Sequence, residues 1–121
     1  MSLPTSGEIP VLLHNPRCSK SRATHALLEE RGVAFHVREY LQEPLSAEEL
    51  GDLERRLGKQ ASQWLRKGEA AYEQAGLGAA ASDQEVRAAI AKQPILMERP
   101  ILVSAEAAAI GRPPENVLSI L

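Results

Sequence analysis

Val11-Leu12-Leu13-His14-Asn15-Pro16-Arg17-Cys18-Ser19-Lys20-Ser21-Arg22 runs an apolar segment into a polar turn and then into a helical pattern. The apolar part, Ile9 to Leu13 with only Pro10 interrupting, suits a strand buried on both faces. From Ser19 to Arg31 the period turns helical, with Ala23, Ala26 and Leu27 expected on the inner face. Gly32 supplies the left-handed residue that closes many helices. Val33, Phe35 and Val37 then alternate with Ala34, His36 and Arg38, the period of a second strand. Such a β-α-β unit joins two parallel strands through a right-handed crossover.

The middle of the chain reads as helices. Ser46 with Glu49 forms a capping box, Leu45 and Leu50 can staple the helix entry, and Leu50, Leu53 and Leu57 mark a buried stripe ending at Gly58. Short helical stretches are expected around Trp64-Leu65 and over Glu69 to Ala75, the latter closed by Gly76. Ser82 with Glu85 opens another helix, with Val86, Ala89 and Ile90 inward, and Pro94 ends it. Pro100 to Val103 and Ala107 to Ile110 read as an antiparallel pair of strands. Pro113-Pro114 suits the start of a closing helix whose Val117, Leu118 and Leu121 would face the sheet. The order β-α-β, helices, β-β-α describes an α/β, thioredoxin-like sandwich with a helical insertion between its halves. Residues 1–8 read as a flexible leader and residues 9–121 as a single domain, a size that buries a core without disulfides or metals.

Composition narrows the function. A net charge of −2 and an aromatic content of 3% supply neither a basic field nor stacking platforms, which disfavours nucleic-acid binding. No apolar stretch approaches the length of a membrane span, and no signal-peptide pattern opens the chain. A cytoplasmic monomer is expected. No metal-ligand cluster or nucleotide loop is evident, so no tightly bound cofactor is expected.

Cys18 is the one cysteine. It falls at the strand-to-helix turn beside Arg17, Lys20 and Arg22, where cations and unpaired helix N–H groups lower a thiol's pKa and can cradle an oxyanion. A cysteine phosphatase would carry arginine six residues on, where Thr24 stands, and a thioredoxin-type dithiol would carry cysteine at the position of Ser21. This is therefore a single-thiol site, and any redox cycle through it must end with a thiol from another molecule. His14, at the end of the first strand, is a candidate for tuning that thiol, whereas His25 and His36 read as structural. Arg66, Arg99 and Arg112 would each pass alone for solvated surface residues. Arg99, however, precedes Pro100, where thioredoxin-like folds place a cis-proline facing the active-site loop, and Arg112 sits between Gly111 and two prolines. Guanidinium groups converging on a thiolate would make an anion pocket.

The run from His14 to Arg22 resembles the H-N-P-x-C-x-x-S-R loop of glutaredoxin-dependent arsenate reductases. Leu65-Arg66-Lys67 with Tyr72-Glu73, Pro94 to Ile101, and Gly111-Arg112-Pro113-Pro114-Glu115 are similar to the same family. The resemblance implies that Cys18 attacks arsenate while Arg66, Arg99 and Arg112 bind the oxyanion. His14, Asn15, Ser21 and Arg22 would support the thiolate loop. It further implies glutathione as co-substrate and glutaredoxin as the protein that resets Cys18. Two other readings share the motif: a thiol-transfer enzyme acting on a substrate other than arsenate, and an Spx-type regulator that binds RNA polymerase. Ser21, standing where such regulators often carry a second cysteine, disfavours the last.

Overall fold

The computed structural model describes residues 1–78 and 80–121. They gather into two compact units, Met1–Glu43 with Arg99–Leu121, and Pro44–Glu98.

The first unit holds a four-stranded sheet in the order β2-β1-β3-β4, built from β1 (Val11–His14), β2 (His36–Glu39), β3 (Ile101–Val103) and β4 (Ala108–Ile110). β1 and β2 are parallel, with Val11 opposite His36. β3 runs antiparallel to β1, with Leu12 opposite Leu102, and β4 runs antiparallel to β3. α1 (Ser19–Glu30) makes the crossover between β1 and β2, as the β-α-β pattern requires. Successive strand residues face opposite ways, so Leu12 and Leu102 share one face, where they pack with Leu28 of α1 and Val117 of the closing segment. Val33, Phe35 and Ile120 extend this cluster. Leu12, Leu28 and Leu102 are fully buried, each stabilising by about 1.5–3 kcal/mol. Val11 and Leu13, on the opposite face of β1, are buried as well, in keeping with its unbroken apolar run.

Three local readings of this unit are corrected. The buried residues of α1 are Ser21, Thr24 and Leu28, whereas Ala23 and Ala26 are exposed and Leu27 half-buried. The two hydroxyls go inward because each has a hydrogen-bond partner there, which offsets the cost of burying it. The second strand spans only His36–Glu39, so Val33 and Phe35 join the core from the loop before it. The closing helix is a 3-10 helix, Pro114–Ile120. With three residues per turn, Val117 and Ile120 align toward the core, and Leu121 is turned out to 54% exposure.

Residues 1–8 carry a turn in which the Thr5 N–H and hydroxyl both donate to Glu8, and Leu3 is buried.

The second unit is helical, with α2 (Ala47–Leu57), α3 (Ala70–Ala75) and α4 (Asp83–Lys92). Both capping boxes form, Ser46 with Glu49 and Ser82 with Glu85, and Gly58 and Gly76 take the left-handed conformation that ends α2 and α3. Leu45, Leu50, Leu53, Val86 and Ile90 are buried, while Leu57 and Ala89 are half-buried. The stretch at Trp64 is a 3-10 turn, Ala61–Trp64, after which Leu65 bridges Met97 in a one-residue antiparallel contact. No helix among the described residues is long and apolar enough to cross a membrane.

Candidate active site

The Cys18 loop is closed by its own polar groups. The Cys18 N–H donates to the Asn15 carbonyl at 3.0 Å, and the Arg17 N–H donates to Asn15 Oδ1 at 3.0 Å. Arg22 Nη1 donates to the Pro16 carbonyl at 2.9 Å, tying the start of the loop to the first turn of α1. Cys18 is thereby held as the N-cap residue in extended conformation (φ −96°, ψ 125°), and its carbonyl accepts the Arg22 N–H. An N-cap side chain normally offers oxygen to the free N–H groups of the first turn. Here it offers sulfur, toward which the N–H groups of Ser21 and Lys20 are directed. The contacts are looser than an oxygen cap, but they polarise the sulfur once it is ionised.

Sheet pairing brings two arginines to this sulfur. Arg99 is separated from β3 only by Pro100, β3 lies beside β1, and the Arg99 guanidinium hydrogen-bonds Cys18. Arg112, just beyond β4, donates from Nε to the Arg99 carbonyl at 2.8 Å and places Nη2 3.8 Å from Cys18 Sγ. Burial pushes the thiol's pKa up. The Ser21 N–H, the Arg99 hydrogen bond, the Lys20 N–H and the Arg99 charge pull it down and outweigh burial, leaving Cys18 below the ordinary thiol value. The Arg99–Pro100 and Arg112–Pro113 peptide bonds are both cis.

Gly111 makes the approach of these segments possible. A Cβ at 111 would lie 2.7 Å from Thr24 Oγ1 and 2.8 Å from Pro100 Cγ, well inside contact distance. Thr24 Oγ1 in turn donates to the Lys20 carbonyl at 3.0 Å. Helix α1, the Pro100 segment and the Arg112 bend thus meet at a point where only hydrogen fits. The sequence reading named Gly111 beside Arg112 and Thr24 six residues after Cys18, but not their meeting at this point. The signal available for the first was a glycine lodged between a strand and Arg112-Pro113.

His14 is buried, with Nδ1 2.7 Å from Ser21 Oγ, and that oxygen also accepts the Asn15 N–H at 3.0 Å. Burial first, then the charges of His25 and Arg22, hold the imidazole below its ordinary pKa, against an opposing pull from Glu39. A neutral ring protonated on Nε2 satisfies the arrangement, with the Ser21 hydroxyl donating to Nδ1. His14, Asn15 and the Ser21 hydroxyl therefore hold the floor of the loop, while the Ser21 N–H is the part of this group that faces the sulfur. His25 lies between His14, to which its ring is tilted by 40°, and Phe35, which it meets edge-on, with ring centroids 5.2 Å from each, and it pairs with Glu29, while His36 is exposed on β2.

Arg66 belongs to the second unit. Its N–H donates to the Leu96 carbonyl at 2.6 Å, and its guanidinium is gripped by Glu69 (3.2 Å from Nε) and Glu98 (3.4 Å from Nη1). These two carboxylates were not anticipated. Among the described residues, no group of three or more His, Cys, Asp or Glu is placed to hold a metal ion.

A mixed four-stranded sheet, with a lone thiol capping its first helix and a cis-proline opening its third strand, defines a thioredoxin-like protein of the single-thiol class. Within that class the ArsC family model matches residues 13–120, and the chain belongs to the ArsC family. It is 43% identical over 112 residues to an arsenate reductase of Neisseria meningitidis, covering 91% of this chain and 96% of the relative. It is 45% identical over 112 residues to the uncharacterized protein YfgD of Escherichia coli, covering 91% and 94%. The structure of an arsenate reductase from Vibrio cholerae superposes with a TM-score of 0.88 at 42% identity, covering all of both chains.

Proposed function

We propose that this protein is an arsenate reductase in which Cys18 is the nucleophile and glutathione and glutaredoxin supply the electrons. The observation that carries the reading is the Cys18 sulfur held between helix N–H groups and two guanidinium groups, with Arg112 Nη2 at 3.8 Å. Such a group of donors favours a thiolate and suits a tetrahedral oxyanion beside it. Arg99 and Arg112 bind arsenate oxygens, and Arg66 is the third oxyanion ligand that the resemblance selects. The Cys18 sulfur attacks arsenic, an S–As bond forms, and one arsenate oxygen departs as water after protonation. The thiolate of glutathione then attacks Cys18 Sγ. An S–S bond forms, the S–As bond breaks, and its electron pair reduces As(V) to As(III). The resulting mixed disulfide passes to glutaredoxin by thiol exchange, since the chain has no second cysteine. His14, Asn15, Ser21 and Arg22 hold the loop in shape. A thiol cycled in this way suits a reducing cytoplasm, and the chain is expected to act as a monomer.

The test is turnover with arsenate, glutathione, glutaredoxin and NADPH-coupled recycling. Arsenate-dependent NADPH oxidation is expected, falling by at least about a thousandfold in Cys18→Ser. Formation of a Cys18–glutathione disulfide with no arsenate-dependent turnover would overturn arsenate as substrate and leave thiol transfer. Turnover that survives Cys18→Ser would remove the nucleophile.

A further inference from the structure

We propose that the exposed cationic rim of the Cys18 loop is the docking surface for the protein that resets Cys18, and that this partner carries carboxylates beside its own reactive cysteine. The inference deepens the proposed function and rests on Cys18 cycling through a mixed disulfide.

From Pro16 to Leu28 the chain contains Arg17, Lys20 and Arg22 and no acidic residue, although the protein as a whole has a net charge of −2. All three side chains are exposed, while Cys18 between them is half-buried. Arg22 spends one donor on the Pro16 carbonyl, a neutral group, so its charge remains uncancelled. The side chains of Arg17 and Lys20 make no hydrogen bond or ion pair among the described residues. The helical unit differs, for there Arg55 and Arg56 pair with Asp52, and Arg87 with Glu54. The sulfur itself is served by Arg99, Arg112 and the first-turn N–H groups, so the outer cations are not consumed by the anion pocket.

A second thiol is absent from the chain, so the disulfide at Cys18 must be opened from outside, across this rim. In that step the partner's thiolate attacks the glutathione sulfur of the mixed disulfide. A partner–glutathione S–S bond forms, and Cys18 leaves with the electron pair as a thiolate, so the disulfide moves with no net oxidation. Complementary charge around the two sulfurs raises the encounter rate and fixes the approach, and its reach is about a Debye length, ~10 Å at 0.1 M salt.

The experiment needs no arsenate. Cys18 is converted to its glutathione disulfide with oxidised glutathione. Its release is then timed with two reductants: a glutaredoxin bearing carboxylates beside its active-site cysteine, and dithiothreitol, which has none. Arg17→Glu/Lys20→Glu is expected to slow release by glutaredoxin at least about tenfold more than it slows release by dithiothreitol at ~0.05 M salt, the dithiothreitol rate absorbing any change in Cys18 as a leaving thiolate. The difference should vanish near ~0.5 M salt. In the unaltered protein the glutaredoxin rate alone should fall steeply with salt, a readout independent of whether any variant folds. Equal losses with both reductants, an unaffected glutaredoxin rate, or a flat salt profile in the unaltered protein would each overturn the docking surface. None of these outcomes bears on arsenate turnover, so the two readings fail separately.

Discussion

The two compact units spend their charged side chains differently. In the helical unit, Asp52 takes Arg55 and Arg56, Glu54 takes Arg87, and Glu69 with Glu98 takes Arg66. In the sheet unit, Arg17, Lys20 and Arg22 flank the thiol in a stretch of sequence with no acidic residue, with Glu39 lining the cleft beside Arg17, and Arg99 and Arg112 are directed at the sulfur. Away from the thiol the same unit does pair its charges, as in Arg38, buried on β2 and held by Glu43. Charge cancelled in this way holds α2 in shape and, through Glu54 and Arg87, ties α2 to α4. The charges of Arg17 and Lys20, whose side chains take no partner among the described residues, are available to whatever anion arrives.

Removing one arginine from each side tests the contrast. Arg99→Ala is expected to have the larger effect, lowering kcat/KM for arsenate by about a hundredfold. It should also move the alkylation profile of Cys18 to higher pH. The thiolate fraction rises as pH passes the thiol's pKa, so losing a group that depresses that pKa shifts the midpoint upward. The melting temperature should change little. Arg87→Ala should do the reverse. Glu54 is 13% exposed and would keep, among the described residues, only the Ala61 N–H as partner, at a cost of about 1–3 kcal/mol in urea unfolding, with the Cys18 profile unmoved. A stable Arg87→Ala protein with an altered thiol, or an unstable Arg99→Ala protein with an unaltered one, would break the comparison.

The smallest effect concerns His14. Its folded pKa is depressed, so between that value and the ordinary ~6.5 the unfolded chain binds more protons. Stability from this group is therefore complete above ~6.5 and is lost as pH falls through the folded value. His14→Gln should flatten the acid limb of a stability–pH curve measured by urea unfolding. An acid limb as steep as in the unaltered protein would assign the loss to other groups.

Much of the helical unit was legible because its signals are short. A capping box needs residues three apart, and both pairs, Ser46 with Glu49 and Ser82 with Glu85, form as read. The Cys18 turn was legible for the same reason, since apolar run, proline, thiol and helix lie within one stretch. The inward hydroxyls of α1 were not. Apolar patterning sends Ser21 and Thr24 to solvent, and their burial depends on partners supplied by the end of β1 and by the helix backbone. Leu121 was misplaced because a period of 3.6 was assumed where the chain takes 3.0. The grip of Glu69 and Glu98 on Arg66, and the fit of Gly111 against Thr24 and Pro100, join residues whose spacing carries no pattern.

The sequence alone determined that there is one thiol, that it caps a helix after a buried strand, and that any disulfide it forms must be closed and opened by another molecule. Only the tertiary structure decided that Arg99 and Arg112 reach it. Hydrogen bonds and charge effects weaken steeply with distance. The N–H groups of Ser21 and Lys20 depress the Cys18 pKa from within α1 itself, whereas the share that Arg99 adds exists only once β3 has paired with β1.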